Sequence, residues 1–495
     1  MSKSKKIVGA LTAAGAAGFL GYSAYKASKF VPEKKVYDKN IPAKIDASRV
    51  AKHLSEAIKI KTVSNLDDDK VDWAEFEKFH RFLDDSYPLI KKNLSKEVIG
   101  KASLLYKWEG KNPDLDPIAM LSHQDVVPVQ EGTEKDWTHP SFSGYNDGEF
   151  IWGRGALDMK NHLICVMEAV ETMLEEGFQP ERTIYLCFGH NEEIVSSENS
   201  GAGAIVETLK SRGVHLDSVL DEGGALLILN IPGVLKDKYV MGVGIAEKGF
   251  CNFKITVKGK GGHTSKAPQY NLLGKVANII KDLEKHQFKS RMLPEVEQML
   301  TELCKNMSYP ARLITCHFNA LKPIIIKGME QFGESACFIR TVTGVSMCEG
   351  SPQPNVLPEK ASVTANFRPL QGETIADVEN HIRKAVRYKD IDVEFLGGKE
   401  PSRLSPTDSR AFKAIDKVCN EMDPGKCIVI PYIVMGGTDA FHYEEICENV
   451  LRFAPFKVTI EQISRCHATD ECVPVSTLGE STEFFKKYME QASKA

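Results

Sequence analysis

Ile118-Ala119-Met120-Leu121-Ser122-His123-Gln124-Asp125 is the stretch that decides the fold. Four consecutive apolar residues read as a short buried strand. A histidine and an aspartate two residues apart stand at its C-terminal end, where open α/β sheets place their ligands. Working outward, Val50, Leu54 and Ile58 mark a helix face before this strand, and Leu163, Val166, Met167, Val170, Met173 and Leu174 mark another after it. That second helix opens near Asp158 and closes at Gly177. Thr183 to Phe188 reads as the next strand, Ala204 to Leu209 as the next helix, and Val219-Leu220 as a third strand ending in Asp221-Glu222-Gly223-Gly224. Strand, helix, strand, helix, strand at this spacing predicts a right-handed βαβαβ core.

The pattern changes near residue 245. Phe253, Ile255 and Val257 alternate, Gly259 to Gly262 break the strand, and a helical period starts near 271. After a poorly patterned middle, Leu293 to Gly350, come a strand at Ala361 to Phe367, a helix at Val378 to Val386 and a strand at Ile391 to Phe395. Helical and parallel-strand signals resume near 405. The expected organisation is a polar linker at 31–47, a discontinuous catalytic domain at 48–244 and 400–495, and an α+β domain inserted at 245–399.

With 495 residues, 42% hydrophobic and 26% charged, the chain has the composition of a globular protein. A formal net charge of -4 and the lack of a basic stripe with interleaved aromatics exclude a nucleic-acid partner. A small molecule or short peptide is the expected ligand. The first 30 residues differ from the rest. Lys3, Lys5 and Lys6 precede the uncharged segment Ile7 to Tyr25, which reads as a signal anchor or signal peptide, the alternative being a small-residue helix packed on the body. Lys26, Lys29, Lys34 and Lys35 follow, so charge fixes no orientation. The sequons Asn93-Leu94-Ser95 and Asn306-Met307-Ser308 favour a lumenal or extracellular body, anchored or secreted. Twelve cysteines show no CxxC pair, and Cys466 and Cys472 flank His467 without a zinc-finger spacing.

Chemistry concentrates at the strand ends. On a strand, positions i and i+2 share a face, so Asp125 is placed to orient the His123 imidazole while its other nitrogen binds a metal. Asp158, in Gly153-Arg154-Gly155-Ala156-Leu157-Asp158, is either a helix N-cap or a carboxylate able to give one oxygen to each of two ions. Of the adjacent Glu192 and Glu193, one can bind metal while the other faces substrate as general base; a surface acidic pair is the plain alternative. Glu222, with Asp221 before it and two glycines after, is another strand-end carboxylate, and His467 is a late histidine with no sequence-local partner.

In this order the residues resemble the zinc-dependent exopeptidase and amidase family that contains aminoacylase and carboxypeptidase S. LSHQDVVPV (121–129), DGEFIWGRGALDMK (147–160), FGHNEEI (188–194), DEGG (221–224) and MGGTDA (435–440) look closest to the carboxypeptidase S branch and the N-fatty-acyl-amino-acid synthase/hydrolases. The resemblance implies an α/β fold, a mixed-sheet zinc-exopeptidase catalytic domain with an inserted α+β lid that also mediates homodimerisation. It implies two zinc ions per subunit: His123 and Glu222 on one, Glu193 and His467 on the other, and Asp158 bridging. Glu192 becomes the general base and Asp125 the orienter, with Asp221 the fallback for Glu222. In the lid, His263 of Gly261-Gly262-His263-Thr264-Ser265 looks like the oxyanion histidine, against the alternative of a turn histidine. Asn355 in PNVLP and Arg368 in ANFRP look like substrate contacts, Arg368 as a carboxylate partner or as an ordinary surface salt bridge. Two departures stand out. Asn191 replaces the family's usual aspartate before the glutamates, and Ala440-Phe441 follow Gly-Gly-Thr-Asp where many relatives carry an arginine for the substrate carboxylate. The implied activity is cleavage of an amide bond next to a free amino-acid carboxylate, on a short peptide or on an N-acyl amino acid, with the reverse synthesis open to the same site. A catalytically inactive binding homologue is the alternative of a different class.

Overall fold

The computed structural model describes residues 18–33, 37, 42–194 and 200–495. Its main element is a ten-stranded mixed sheet. Ile118–His123, Ile184–Gly189 and Ser218–Asp221 run parallel at its centre, joined by the helices Lys160–Glu175 and Gly201–Ser211, as the periodicity predicts. The Ile118–His123 strand lies between the other two, so the chain winds first to one side of it and then to the other. Such a reversal leaves a crevice at the carboxyl ends of the strands, and His123 is its last strand residue. Strands Ser95–Ile99 and Ser103–Trp108 extend the sheet antiparallel beyond Ile184–Gly189.

The helix after Asp158 differs from a one-faced amphipathic helix. Every residue from Lys160 to Met173 is buried, because the helices Ala47–Ile58 and Val475–Ala492 cover its outer side. Its buried polar groups therefore need partners. Glu168 takes Arg49 Nε at 2.8 Å and His53 Nδ1 at 2.5 Å, and Glu171 accepts the backbone N–H groups of Leu89 and Ile90. Lys160 Nζ donates to the carbonyls of Ala57 and Ile60. His162 finds none and stacks on Phe485 with ring centroids 4.6 Å apart.

A long hairpin, Ala225–Ile231 with the thirteen-residue Leu235–Glu247, continues the main sheet where no strand is expected from pattern. Cys427–Val434 pairs parallel to its second strand and Val450–Arg452 parallel to Ser218–Asp221, which returns the end of the chain to the same sheet. Between these excursions lies a separate four-stranded antiparallel sheet, ordered Val342–Glu349, Lys360–Arg368, Phe250–Lys258, Ile391–Lys399, with helices Leu272–Lys285 and Ile375–Ala385 packed on it. Its core alternates as predicted: Cys251, Phe253, Ile255 and Val257 are buried on one strand, Ala361, Val363, Ala365 and Phe367 on the next. The poorly patterned middle folds as short helices, Pro294–Lys305, Tyr309–Thr315, Phe318–Met329 and Gly333–Ala336. Proline at the starts of two and inside a third interrupts the period that would have announced them.

Where the chain leaves and re-enters the main sheet, the buried Glu247 carboxylate accepts from Lys399 Nζ at 2.7 Å, Thr438 Oγ1 at 2.8 Å and Arg452 Nε at 2.8 Å.

Most of the expected anchor, residues 7–17, lies outside the described residues, as do Lys3, Lys5, Lys6, Lys34 and Lys35. Residues 18–29 form a helix docked on the body: Ser23 Oγ is 2.8 Å from His317 Nε2, Phe19 stacks on the same ring, and Ala27 is fully buried. Among the described residues no helix is long and apolar enough to cross a membrane. All twelve cysteines are free, most of them buried.

Candidate metal centre

Each candidate ligand comes from a different strand end or loop, and the fold brings them to one point. His123 Nε2 lies 3.2 Å from Asp158 Oδ1, 3.3 Å from Glu222 Oε1 and 3.9 Å from Glu192 Oε2. His467 Nε2 lies 3.0 Å from Asp158 Oδ2 and 3.1 Å from Glu193 Oε2. One oxygen of Asp158 thus faces each imidazole.

Asp158 is not a helix cap. The helix begins at Lys160, the cap position is Met159, and no side chain caps it. Its carboxylate is free for the centre because its loop is held from elsewhere: Glu471 Oε1 accepts the N–H groups of Gly155, Leu157 and Asp158, while Glu471 Oε2 pairs with Arg154 Nη1 at 2.5 Å. Arg154 also donates to the carbonyl of His467, at 3.1 Å. Nothing in the sequence pattern marks this fully buried pair, although Glu471 closely follows His467 and Arg154 sits in the glycine loop.

The role of Asp125 is broader than its spacing suggests. The strand ends at His123, so the shared-face argument does not reach residue 125. The nearest acceptor for His123 Nδ1–H is the Asp125 main-chain carbonyl at 2.9 Å, with the carboxylate at 3.4 Å. That carboxylate, fully buried, accepts from Ser64 Oγ at 2.6 Å and from the backbone N–H groups of Glu192 and Glu193 at 3.1 and 3.2 Å. One aspartate fixes both the first histidine and the glutamate turn. The glutamates sit on a turn and not on a strand, and they still diverge, Glu192 towards His123 and Glu193 towards His467.

Asp221 and Glu222 divide cleanly. Asp221 is occupied by the backbone, accepting from Glu222 N and Ala440 N, while Glu222 reaches His123. Asp439 is a further buried carboxylate that sequence reasoning missed. It approaches the backbone of Gly189 so closely that a Cβ at 189 would collide with its carboxylate. This explains the glycine before His190-Asn191-Glu192-Glu193.

The centre carries concentrated, uncompensated negative charge. Burial first, then repulsion from Glu222, Asp439 and Glu193, pushes Glu192 well above the usual carboxylate range; burial and Asp158 raise Glu222 to about 8. Burial opposes a charged His123, yet Asp125, Asp158 and Glu222 overcome it and hold its proton affinity well above the ordinary value. Among the described residues no lysine or arginine lies in salt-bridge distance of Asp158, Glu192, Glu193 or Glu222. Half-buried carboxylates without such partners, converging with imidazole nitrogens, are the donor set of a hard-to-borderline dication. Three groups have ligand atoms close enough to share an ion: His123-Asp158-Glu222, His123-Glu192-Glu193 and Asp158-Cys466-His467.

The expected lid residues stand apart from this cluster. His263 and Asn355 are exposed and meet at one edge of the lid, where Gly262–His263 pairs with Val356–Leu357 and Thr264 N donates to the Asn355 carbonyl. His263 Nδ1 is engaged by Ser265. Arg368, half-buried, donates to Asn366 Oδ1 and lies over the Phe250 ring; among the described residues no carboxylate pairs with it. Among the described residues no hydrogen bond or salt bridge joins these three to the acidic cluster; the structure places them in the lid.

This geometry agrees with what the chain is similar to. The sequence profile of peptidase family M20/M25/M40 matches residues 119–491. A probable carboxypeptidase S-like protein of Dictyostelium discoideum is 31% identical over 450 residues, covering 90% of this chain and 85% of the relative. An N-fatty-acyl-amino acid synthase/hydrolase of Xenopus tropicalis is 29% identical over 447 residues, covering 90% and 86%. The crystal structure of an M20 family metallo-carboxypeptidase from Sulfolobus solfataricus superposes with a TM-score of 0.65 at 17% identity, covering 90% of this chain and 99% of that one. The chain belongs to peptidase family M20/M25/M40 and is a hydrolase of the metallopeptidase class. Its mixed α/β sheet with an inserted lid is the fold of that class.

Proposed function

We propose that the protein is a two-zinc hydrolase that cleaves an amide bond next to a free amino-acid carboxylate. The observation that carries this reading is the division of Asp158, one oxygen towards His123 and Glu222, the other towards His467 and Glu193. His123 and Glu222 would hold one zinc, Glu193 and His467 the other, and Asp158 both. Zinc there would supply Lewis-acid polarisation of the scissile carbonyl and acidification of the attacking water.

The chain's own groups do the rest. Glu192 takes the proton of the attacking water and returns it to the leaving nitrogen. It is suited to this because it faces the centre without ligating geometry to His123, 3.9 Å away, and burial raises its proton affinity above that of an ordinary carboxylate. Asp125 holds the Glu192 and Glu193 turn through two backbone N–H groups and fixes the His123 tautomer. In the lid, His263 donates to the developing oxyanion and Asn355 contacts the substrate beside it once the lid closes. Arg368, with which no carboxylate pairs among the described residues, receives the substrate's carboxylate in place of the arginine absent after Asp439.

A second reading, hydrolysis or synthesis of N-acyl amino acids, is supported by the activity named for the Xenopus relative, which is nearly as similar as the carboxypeptidase S-like protein. A panel of C-terminal dipeptides and N-acyl amino acids, offered with and without a chelator, separates the two and tests both. Turnover that survives complete metal removal would defeat the mechanism. Glu192→Gln is expected to lower kcat by at least ~10²-fold with zinc content preserved.

The compartment follows from other residues. Free thiols throughout suit a reducing environment. The amides of Asn93 and Asn306 each bind a carbonyl four residues earlier, but Asn306 is half-buried and Asn93 exposed, so a lumenal body would carry its glycan on Asn93. A glycosidase-sensitive mass shift lost in Asn93→Gln is the expected result for a lumenal enzyme.

A further inference from the structure

Cys466 has no place in the ligand set described above, yet it faces the centre. Its Sγ lies 2.9 Å from Asp158 Oδ2, the oxygen that His467 Nε2 approaches to 3.0 Å. The sulfur, the imidazole nitrogen and the carboxylate oxygen of Cys466, His467 and Asp158 all lie within 4.8 Å of one another. Among the described residues Cys466 is the one thiol that joins such a group. A thiol is a weak hydrogen-bond donor and gains little from a carboxylate, whereas a thiolate is a strong, soft ligand for zinc. The other face of the same point is closed by Glu193, 3.1 Å from His467.

We propose that Cys466 is a sulfur ligand of the metal ion held by His467. The inference rests on the two-metal reading and deepens it. The His123 half then offers only nitrogen and oxygen, and the His467 half adds sulfur, so the two positions differ in kind. As the sulfur–metal bond forms, the S–H bond breaks and its proton leaves to solvent; no electron is transferred. The soft position favours zinc and cadmium over manganese or magnesium, and the hard position discriminates less.

The test uses the full chain, stripped with a chelator and reloaded with two equivalents of cobalt(II). A thiolate ligand gives an intense near-ultraviolet sulfur-to-cobalt charge-transfer band that imidazole and carboxylate ligands do not. The band is expected in the wild type and absent from Cys466→Ser. In that variant the second equivalent of cadmium should bind at least ~10-fold more weakly, the lower end of what losing even an outer partner of a ligand costs. A wild type that binds two cobalt ions without the band overturns the proposal and leaves the hydrolase reading intact. A wild type that binds no cobalt overturns both. A second measurement needs no variant: alkylation of Cys466, read by peptide mass spectrometry against the exposed Cys348, is expected to be blocked in metal-loaded protein and restored on stripping. Equal labelling in the two forms also overturns it.

Discussion

The two halves of the centre are built from different materials. The His123 half stands on the ends of central strands: His123 is 1% exposed on its side chain, Glu222 follows a fully buried strand, and their N–H groups donate to Met159 Sδ and Asp221 Oδ1. The His467 half stands on irregular backbone. His467 has a φ of +61° and a side chain 49% exposed, and its segment is fixed by the Arg154–Glu471 pair, by Thr138 donating to Asp470, and by the short strand Cys472–Pro474 outside the main sheet. The difference teaches that one half of the centre rests on the central sheet, while its neighbour rests on loop contacts in which a buried ion pair takes the largest part.

The sharpest way to break the comparison is to remove that pair. Glu471→Ala leaves the Arg154 guanidinium buried and three loop N–H groups unmatched, and breaking a buried pair in this way costs about 3–5 kcal/mol. Chemical denaturation should show that loss, and metal analysis should show the His467 position emptied before the His123 position. The opposite half is probed by Ser64→Ala, which removes a 2.6 Å hydrogen bond to the Asp125 carboxylate. Hydrogen bonds to charged groups contribute about 1.5–3 kcal/mol, so a smaller loss is expected, with both metals retained. If Ser64→Ala empties a metal position and Glu471→Ala does not, the assignment of rigid and dependent halves is reversed.

The last effect is gradual, and it is one of pH. His162, four residues from Asp158 on the fully buried helix, is held down to about 3 from its ordinary 6.5, chiefly by burial and then by His123. The folded protein therefore refuses a proton that the unfolded chain accepts as pH falls below about 6.5. Stability from this group is complete above that pH and is lost between about 6.5 and 3, at up to about 1.4 kcal/mol per unit. His162→Phe, which keeps the stacking on Phe485, should flatten that part of the stability profile; an unchanged slope would show that other groups set it.

The legibility of the sequence follows the same division. The βαβαβ core could be read because each strand is a short apolar run and each helix keeps its period, and the residues at the strand ends come with it. Asp158 and His467 could be named only through the resemblance, since an aspartate before a helix is as readily a cap. The pair that holds them, Arg154 and Glu471, lies 317 residues apart along the chain, and no periodicity connects residues brought together by tertiary packing. Likewise Asp439 declares itself only through the glycine it approaches. The hairpin Ala225–Glu247 was hidden because its first strand is half-exposed with irregular alternation, and the helices after 293 because proline cuts them short.

Glu247 carries a mechanical implication. One carboxylate grips Lys399 on the returning stem of the lid, Thr438 of the Gly-Gly-Thr-Asp loop and Arg452 of the central sheet. A swing of the lid about its stems would have to drag that loop along or break the largely buried Lys399–Glu247 salt bridge. Such a motion would be geared to the loop beside the centre, and a change of lid angle would reach Asp439, one peptide bond beyond Thr438.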